Sequence, residues 1–306
     1  MRSLDAWVER ALQVLAFSSV VALLSITFFI FKEGVPLVYR VGLQNFFSGD
    51  WHPTAGLYGI RYMVVGSALV TAGALVFGVP LGVGCAVVLG EMASAGWRAV
   101  LKPTIEILAG IPSVVFGFIG ITLVLPWIRS HLGGPGASGL AGALILGVMI
   151  LPTIIAISLD ALRAVPRAYR EASLAMGATE WQTIWRVVLP AARSGIVAAV
   201  ILGIGRAVGE TMAIVMVTGN AVQLPHSPLA PLRTLTANLA LEMAYSTGEH
   251  RAALFATGTV LFAVIVVLNA LAGLVRREAT QRIRRSSHAA EAVRSGGPSA
   301  KQAVLR

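Results

Sequence analysis

The sequence predicts an all-α protein, a polytopic membrane bundle of six transmembrane helices. Three observations lead there. Of its 306 residues, 56% are apolar and 12% charged, and mean hydropathy is +0.79. Soluble chains carry about a quarter charged residues, so this one has half the usual means of covering a water-facing surface. Second, six apolar runs match the roughly 20 residues needed to cross a hydrocarbon core about 30 Å thick. Third, the net charge of +10, from 24 Lys+Arg against 14 Asp+Glu, follows the positive-inside bias of membrane proteins, so no nucleic-acid partner is needed to explain it. The single cysteine, Cys85, cannot form an internal disulfide and lacks companions for a metal cluster, which excludes redox and zinc chemistry.

The first run, Ala11–Phe31, is longer than a signal-peptide core and no Ala-x-Ala site follows it, so it reads as a retained anchor. With the first outer loop it makes an N-terminal section, residues 1–62. The core, residues 63–275, holds the other five runs: Met63–Leu89, Thr104–Ile128, Gly139–Leu159, Gly195–Val217 and Leu254–Val275. Trp51, Pro53, Gly56 and Gly59 in the first outer connection, and Pro225, Pro228 and Pro231 in the third, are turn chemistry. The stretch Leu232–Tyr245 suits either a short helix on the outer surface or a re-entrant piece. Residues 276–306 hold eight basic and two acidic side chains, with Ser287, Gly296, Gly297 and Pro298, and predict a disordered tail near anionic headgroups. With the N-terminus inside, seventeen basic residues fall on inner segments and six on outer ones, which puts both termini in the cytoplasm.

One basic residue remains, Arg206, near the middle of the fifth run, with Glu210 about one helical turn further out. A lone charge at that depth costs about 2.5–3.5 kcal/mol even on a lenient insertion scale. A spacing of four puts both on one helical face, where they can pair. Two readings are open: an ion pair that welds helices, or a polar wall on a substrate path, for which arginine supplies a planar fork of donors. Gly205 and Gly209 flank the pair as a small-x-x-x-small seam that lets another helix approach. Pro80, Pro112 and Pro152 each fall inside a run and free backbone carbonyls, which lipid tolerates only where protein or a cavity covers them. The sharpest is Gly110-Ile111-Pro112-Ser113, either a packing kink or a helix restart that aims N–H groups at an anion.

The longest inner connection, residues 160–194, reads as a handle. A helix of about nine residues, Ala168–Met176, is stopped by Gly177, and a second starts after the N-cap Thr179. In the second, Trp181, Ile184, Trp185 and Val188 recur at helical spacing and make an apolar face. Glu171-Ala172-Ser173-x-x-x-Gly177 followed by Leu189-Pro190 resembles the EAA motif of ABC importer membrane subunits. Ala109-Gly110-Ile111-Pro112-Ser113-Val114-Val115-Phe116-Gly117 and Gly205-Arg206-Ala207-Val208-Gly209-Glu210-Thr211-Met212-Ala213 resemble signatures of the permeases of phosphate-specific transport systems. Met212-Ala213 after Gly-Glu-Thr is similar to the C-type (PstC-type) rather than the A-type class. The resemblance covers roughly residues 10–280. One departure is Ser173, where the general motif has a second alanine.

The resemblance implies a type I ABC importer permease (MetI-like) architecture. It makes Glu171, Ala172 and Gly177 part of a coupling helix on a cytoplasmic ATPase, and Arg206, Glu210, Thr211 and Ser113 part of the substrate path. The implied partners are a sister permease (PstA-type), two ATPase subunits (PstB-type), a phosphate-binding protein (PstS-type) and the lipid bilayer. ATP and Mg would bind the ATPases and no cofactor this chain, which has no Gly-x-x-x-x-Gly-Lys-Ser/Thr loop. No catalytic residue or metal ligand is expected: the five histidines, 52, 131, 226, 250 and 288, are scattered and read as solvated surface residues. A permease for sulfate, molybdate or another oxyanion is the nearest alternative. An autonomous ion channel or carrier would leave the inner loop idle, and an intramembrane hydrolase lacks a nucleophile–base pair.

Overall fold

A computed structural model describes residues 2–294 of the chain. The elements in order are α1 (Arg2–Val41), α2 (Leu43–Phe46), a hairpin of β1 (Trp51–His52) and β2 (Leu57–Tyr58), α3 (Arg61–Val87), α4 (Ala95–Gly110), α5 (Ser113–Ile119), α6 (Leu125–His131) and α7 (Gly139–Arg163). Then come α8 (Arg167–Ala175), α9 (Glu180–Thr183), α10 (Leu189–Gly209), α11 (Met212–Val217), α12 (Leu235–Glu242) and α13 (Gly248–Arg294). Wide π-turns at Val88–Met92, Gly120–Val124 and Ile184–Val188 extend α3 and join α5 to α6 and α9 to α10. Among the described residues six helices are long and apolar enough to cross a membrane: Trp7–Val41, Arg61–Met92, Ser113–His131, Gly139–Arg163, Glu180–Gly209 and Gly248–Leu274. The chain is a multi-pass membrane bundle.

Local chemistry sets the boundaries. Gly42, at φ +82°, ends α1 ten residues beyond its expected apolar limit. Ser138, Thr179 and Thr234 each accept a backbone N–H at the start of α7, α9 and α12. At Thr179 the cap is reciprocal, because Gln182 reaches back to the Thr179 N–H.

Two expectations are corrected. The third span begins at Ser113, not Thr104. Pro112 has no N–H and forces Ile111 to extended backbone (ψ 127°), so residues 95–110 form a separate helix, α4. The fifth span is cut after Gly209. Helix α13 runs on to Arg294, into the stretch 276–306 whose composition suggests a tail. Residues 295–306 of that tail lie outside the described residues.

The helix α7 is the axis of the bundle: 61% of its apolar window is buried, against none for α1. It packs most extensively on α3 and α10; α13 lies on α10, and α1 lies on α13. Lipid is as apolar as leucine, so close packing rather than expulsion from water must hold these helices. The residues obey that. A Cβ at Gly78 or Gly82 of α3 would sit 2.7 Å from Ile150 or Ile154 of α7. A Cβ at Gly34 of α1 would sit 2.7 Å from the Ala256 backbone, so α1 meets α13 backbone to backbone. The middle layer joins Val70, Ala74, Leu146, Ile150, Ile154 and Ala207; an outer cluster joins Leu37, Phe46, Trp51, Ile60 and Leu254.

Candidate functional site

Arg206 is on the last turn of α10, beside Ala207, which is buried against Ile150 and Ile154 halfway along α7. That contact places the guanidinium at mid-bundle. Its side chain is exposed, and Nη1 donates to Thr153 Oγ1 at 3.2 Å. Around it the helix face is bare: a Cβ at Gly205 or Gly209 would meet nothing within 4 Å. The face of α10 opposite Gly205 and Gly209, through Ala199, Gly203 and Ala207, is the one packed on α7, and Arg206 lies at the edge between the two.

The expected Arg206–Glu210 pair does not form. Helix α10 stops at Gly209, and Glu210 takes extended backbone (ψ 131°), so a spacing of four no longer stacks the two side chains. Two hydrogen bonds hold the break. The Glu210 carbonyl accepts from Thr236 Oγ1 of α12 at 2.8 Å, and Glu210 Oε1 accepts the Ala213 N–H at 3.3 Å. The carboxylate therefore caps the start of α11, where charge and dipole agree. Thr211, half-buried, bonds to the Gly209 carbonyl at 3.2 Å. The stretch Leu232–Tyr245 resolves into α12, tucked inward with Thr236, Asn238 and Glu242 buried.

Ser113, half-buried, opens α5 directly after the Pro112 break. Helix α5 lies on α11: a Cβ at Gly117 would strike Met216 and Ala213, and one at Gly120 would strike Val217. Those contacts rise together, so the two short helices run parallel and their starts, at Ser113 and Met212, lie at about the same depth. Two interrupted helices restart side by side, one turn beyond Arg206. Helix starts direct backbone N–H groups outward, an arrangement that suits an anion.

At the inner loop, α8 matches the expected Ala168–Met176 to within one residue, and Gly177 follows at φ +83°. None of its residues is buried; Glu171, Ala172, Leu174 and Met176 are exposed, so α8 stands out from the bundle. Ser173 explains itself: its hydroxyl meets Thr183 Oγ1 at 2.9 Å and ties α8 to α9. The expected apolar face of the next helix is two faces. Ile184 and Val188 are buried, whereas Trp181 and Trp185 stack on each other outside, because steps of four stay aligned but 184 and 185 point about 100° apart.

Two groups of residues escaped sequence reasoning. Arg170 grips Glu91 bidentately, at 2.6 and 2.9 Å, and donates to the carbonyls of Val165 and Leu162. The Glu91 hydrogen bond raises the Arg170 pKa against a desolvation that lowers it. This anchors the base of α8; a lone acid at the inner end of an apolar run was the available signal. At the end of the bundle away from α8, Glu242 accepts from Trp51 Nε1 (2.9 Å) and Arg233 (2.6 Å) and meets His250 Nε2 at 2.8 Å. His250 is thus not a solvated surface residue. His52, His131 and His226 are exposed, and His288 lies outside the residues whose side chains are described.

The chain is similar to the family model for "Binding-protein-dependent transport system inner membrane component" over residues 78–281. The probable ABC transporter permease protein YqgH of Bacillus subtilis is 42% identical over 76% of this chain and 77% of that protein. The phosphate transport system permease protein PstC of Pasteurella multocida is 33% identical, covering 76% and 79% of the two chains. Among solved structures, a bacterial alginate ABC transporter chain gives a TM-score of 0.59 at 17% identity, over 89% of this chain and 98% of that one. A chain of the MetNI methionine ABC transporter in an inward-facing form gives 0.54 at 22%, over 72% and 94%; at such identities these two show the fold. The match over most of the core, with relatives above 30% identity, establishes that this chain belongs to the family of binding-protein-dependent transport system inner membrane components, the membrane-embedded permease subunits of ABC transporters.

Proposed function

We propose that this chain is the permease subunit of an ATP-driven importer of inorganic phosphate, sharing one translocation path with a sister permease. The observation that carries the reading is the exposed Arg206 guanidinium at mid-bundle, with Thr153 as its hydrogen-bond partner among the described residues. Facing lipid it would cost about 2.5–3.5 kcal/mol or more; facing a water-lined cleft against another subunit, it becomes a binding group. The bare Gly205–Gly209 face leaves room for that subunit. Relatives named as phosphate transport permeases support phosphate as the solute.

In this reading Arg206 supplies the charge that recognises the anion. Ser113 and Thr211, at the starts of the paired half-helices, supply hydroxyls. Glu210 holds the break in shape and sets a negative limit, so that the anion is passed on rather than trapped. Glu171, Ala172 and Gly177 form the part of α8 that docks on an ATPase, whose ATP hydrolysis drives the permease pair between outward- and inward-facing states. Two ATPases and an external phosphate-binding protein complete the assembly. The excess of basic residues around α8 supports a cytoplasmic position for that end of the bundle and both termini.

The test is radiolabelled phosphate uptake by proteoliposomes holding this chain, its sister permease, the ATPase and the binding protein, with sulfate as competitor. ATP-dependent uptake indifferent to sulfate is expected, falling about 10- to 100-fold in Arg206→Gln, the worth of a charge-assisted hydrogen bond. Uptake of sulfate in place of phosphate would reassign the substrate, and full uptake by the variant would remove Arg206 from the path.

A further inference from the structure

At the cytoplasmic end of the bundle a second basic site stands apart from the path. A cleft of about 590 Å³ is lined by four arginines, Arg98 of α4, Arg163 of α7, and Arg167 and Arg170 of α8, together with Glu91 and Glu171. Glu91 is consumed by Arg170 in the bidentate pair. The other three guanidiniums face a single further carboxylate, so the cleft keeps an excess of positive charge. Arg98 donates one N–H to the Gly90 carbonyl at 3.0 Å, but its Nε, fully buried, has no acceptor. Guanidiniums from three different helices converge on one space, and those of Arg163 and Arg167 are exposed with no hydrogen-bonded acceptor among the described residues; planar forks so arranged suit an oxyanion.

We propose that this cleft binds a phosphate-class oxyanion, either free inorganic phosphate or the phosphodiester headgroup of an anionic lipid. A tetrahedral oxyanion offers enough acceptor edges to engage several planar forks at once, which a single carboxylate does not. The cleft lies at the inner end of the spans, where anionic headgroups concentrate around basic side chains. The proposal uses the cytoplasmic assignment above but not the identity of the transported solute. Its consequence is mechanical. Arg167 belongs to α8, whereas Arg98 and Arg163 belong to α4 and α7. A bound anion clamps the exposed coupling helix to the spans beside the Glu91–Arg170 pair, so occupancy stiffens the handle through which the ATPase acts.

The full chain, purified in neutral detergent and stripped of lipid, is titrated with inorganic phosphate at low salt by calorimetry. In parallel, native mass spectrometry compares retention of phosphatidylglycerol with phosphatidylcholine. Saturable phosphate binding assigns free anion as the occupant, and selective retention of phosphatidylglycerol assigns lipid; either supports the site. Arg163→Gln, which breaks no hydrogen bond among the described residues, should weaken that binding about tenfold, as loss of one charge-assisted contact does, and Arg98→Gln likewise. Arg206→Gln should leave it unchanged, which separates this site from the path. The proposal is overturned by no phosphate binding together with equal retention of the two lipids, by binding indifferent to Arg163→Gln, or by binding lost only in Arg206→Gln.

Discussion

Glu210 has a structural role in the fold and a proposed role on the substrate path, and substitutions separate the two. Its carboxylate caps α11 at the Ala213 N–H, and its carbonyl is held by Thr236. Glu210→Gln keeps an oxygen that can accept the same N–H and removes only the charge. Glu210→Ala removes both, and losing a cap costs about 1 kcal/mol. The Gln variant should therefore melt like the parent chain while phosphate uptake drops, and the Ala variant should lose both melting temperature and uptake. Equal uptake by parent and Gln variant would leave Glu210 a cap alone. Arg206 was legible in the sequence because a charge in an apolar run has few explanations. Its separation from Glu210 was not, since the hydroxyl that holds the break open arrives from residue 236, and no local pattern announces it. His250 was hidden because it meets Glu242 across the turn between α12 and α13 and packs edge-on against Trp51 from a distant segment.

Helices were legible wherever their ends are local. Thr179 and Gly177 punctuate the inner loop with a cap and a left-handed stop, and α8 and α9 fall where that chemistry puts them. The third span was misplaced because an apolar stretch on both sides of Pro112 looks continuous when only hydropathy is read, although the proline and its predecessor forbid continuity. Gly177 tests the handle at this scale. With nothing within 4 Å of a Cβ there, a side chain meets no clash, and only its backbone conformation resists substitution. A left-handed residue bearing a Cβ costs about 1–2 kcal/mol. Gly177→Val should re-aim the end of α8 and weaken ATPase capture in a pull-down about tenfold, whereas Gly177→Asn, which tolerates that conformation, should retain most of it. Equal capture by the two would mean the turn does not present the helix.

Across the whole molecule, α3, α7 and α10 form a close-packed centre with α13 and α1 layered outside, and the bundle is left open on the face that carries Arg206. The exposed helix α8 projects at one end, and the Glu242 cluster closes the other. In the proposed reading one chain contributes half of a conduit and one handle, a division of labour that composition could not reveal because a seam facing a partner and a face toward lipid have similar residues. The claim on which the rest depends is that Arg206 faces water between subunits. It is tested by replacing Cys85 with Ser, introducing Arg206→Cys, assembling the variant with its sister permease and ATPases in proteoliposomes, and exposing it to a charged, membrane-impermeant thiol reagent. The account predicts modification of position 206, slowed by phosphate in the bath; a thiol that resists this reagent yet reacts with a lipid-soluble one would contradict it.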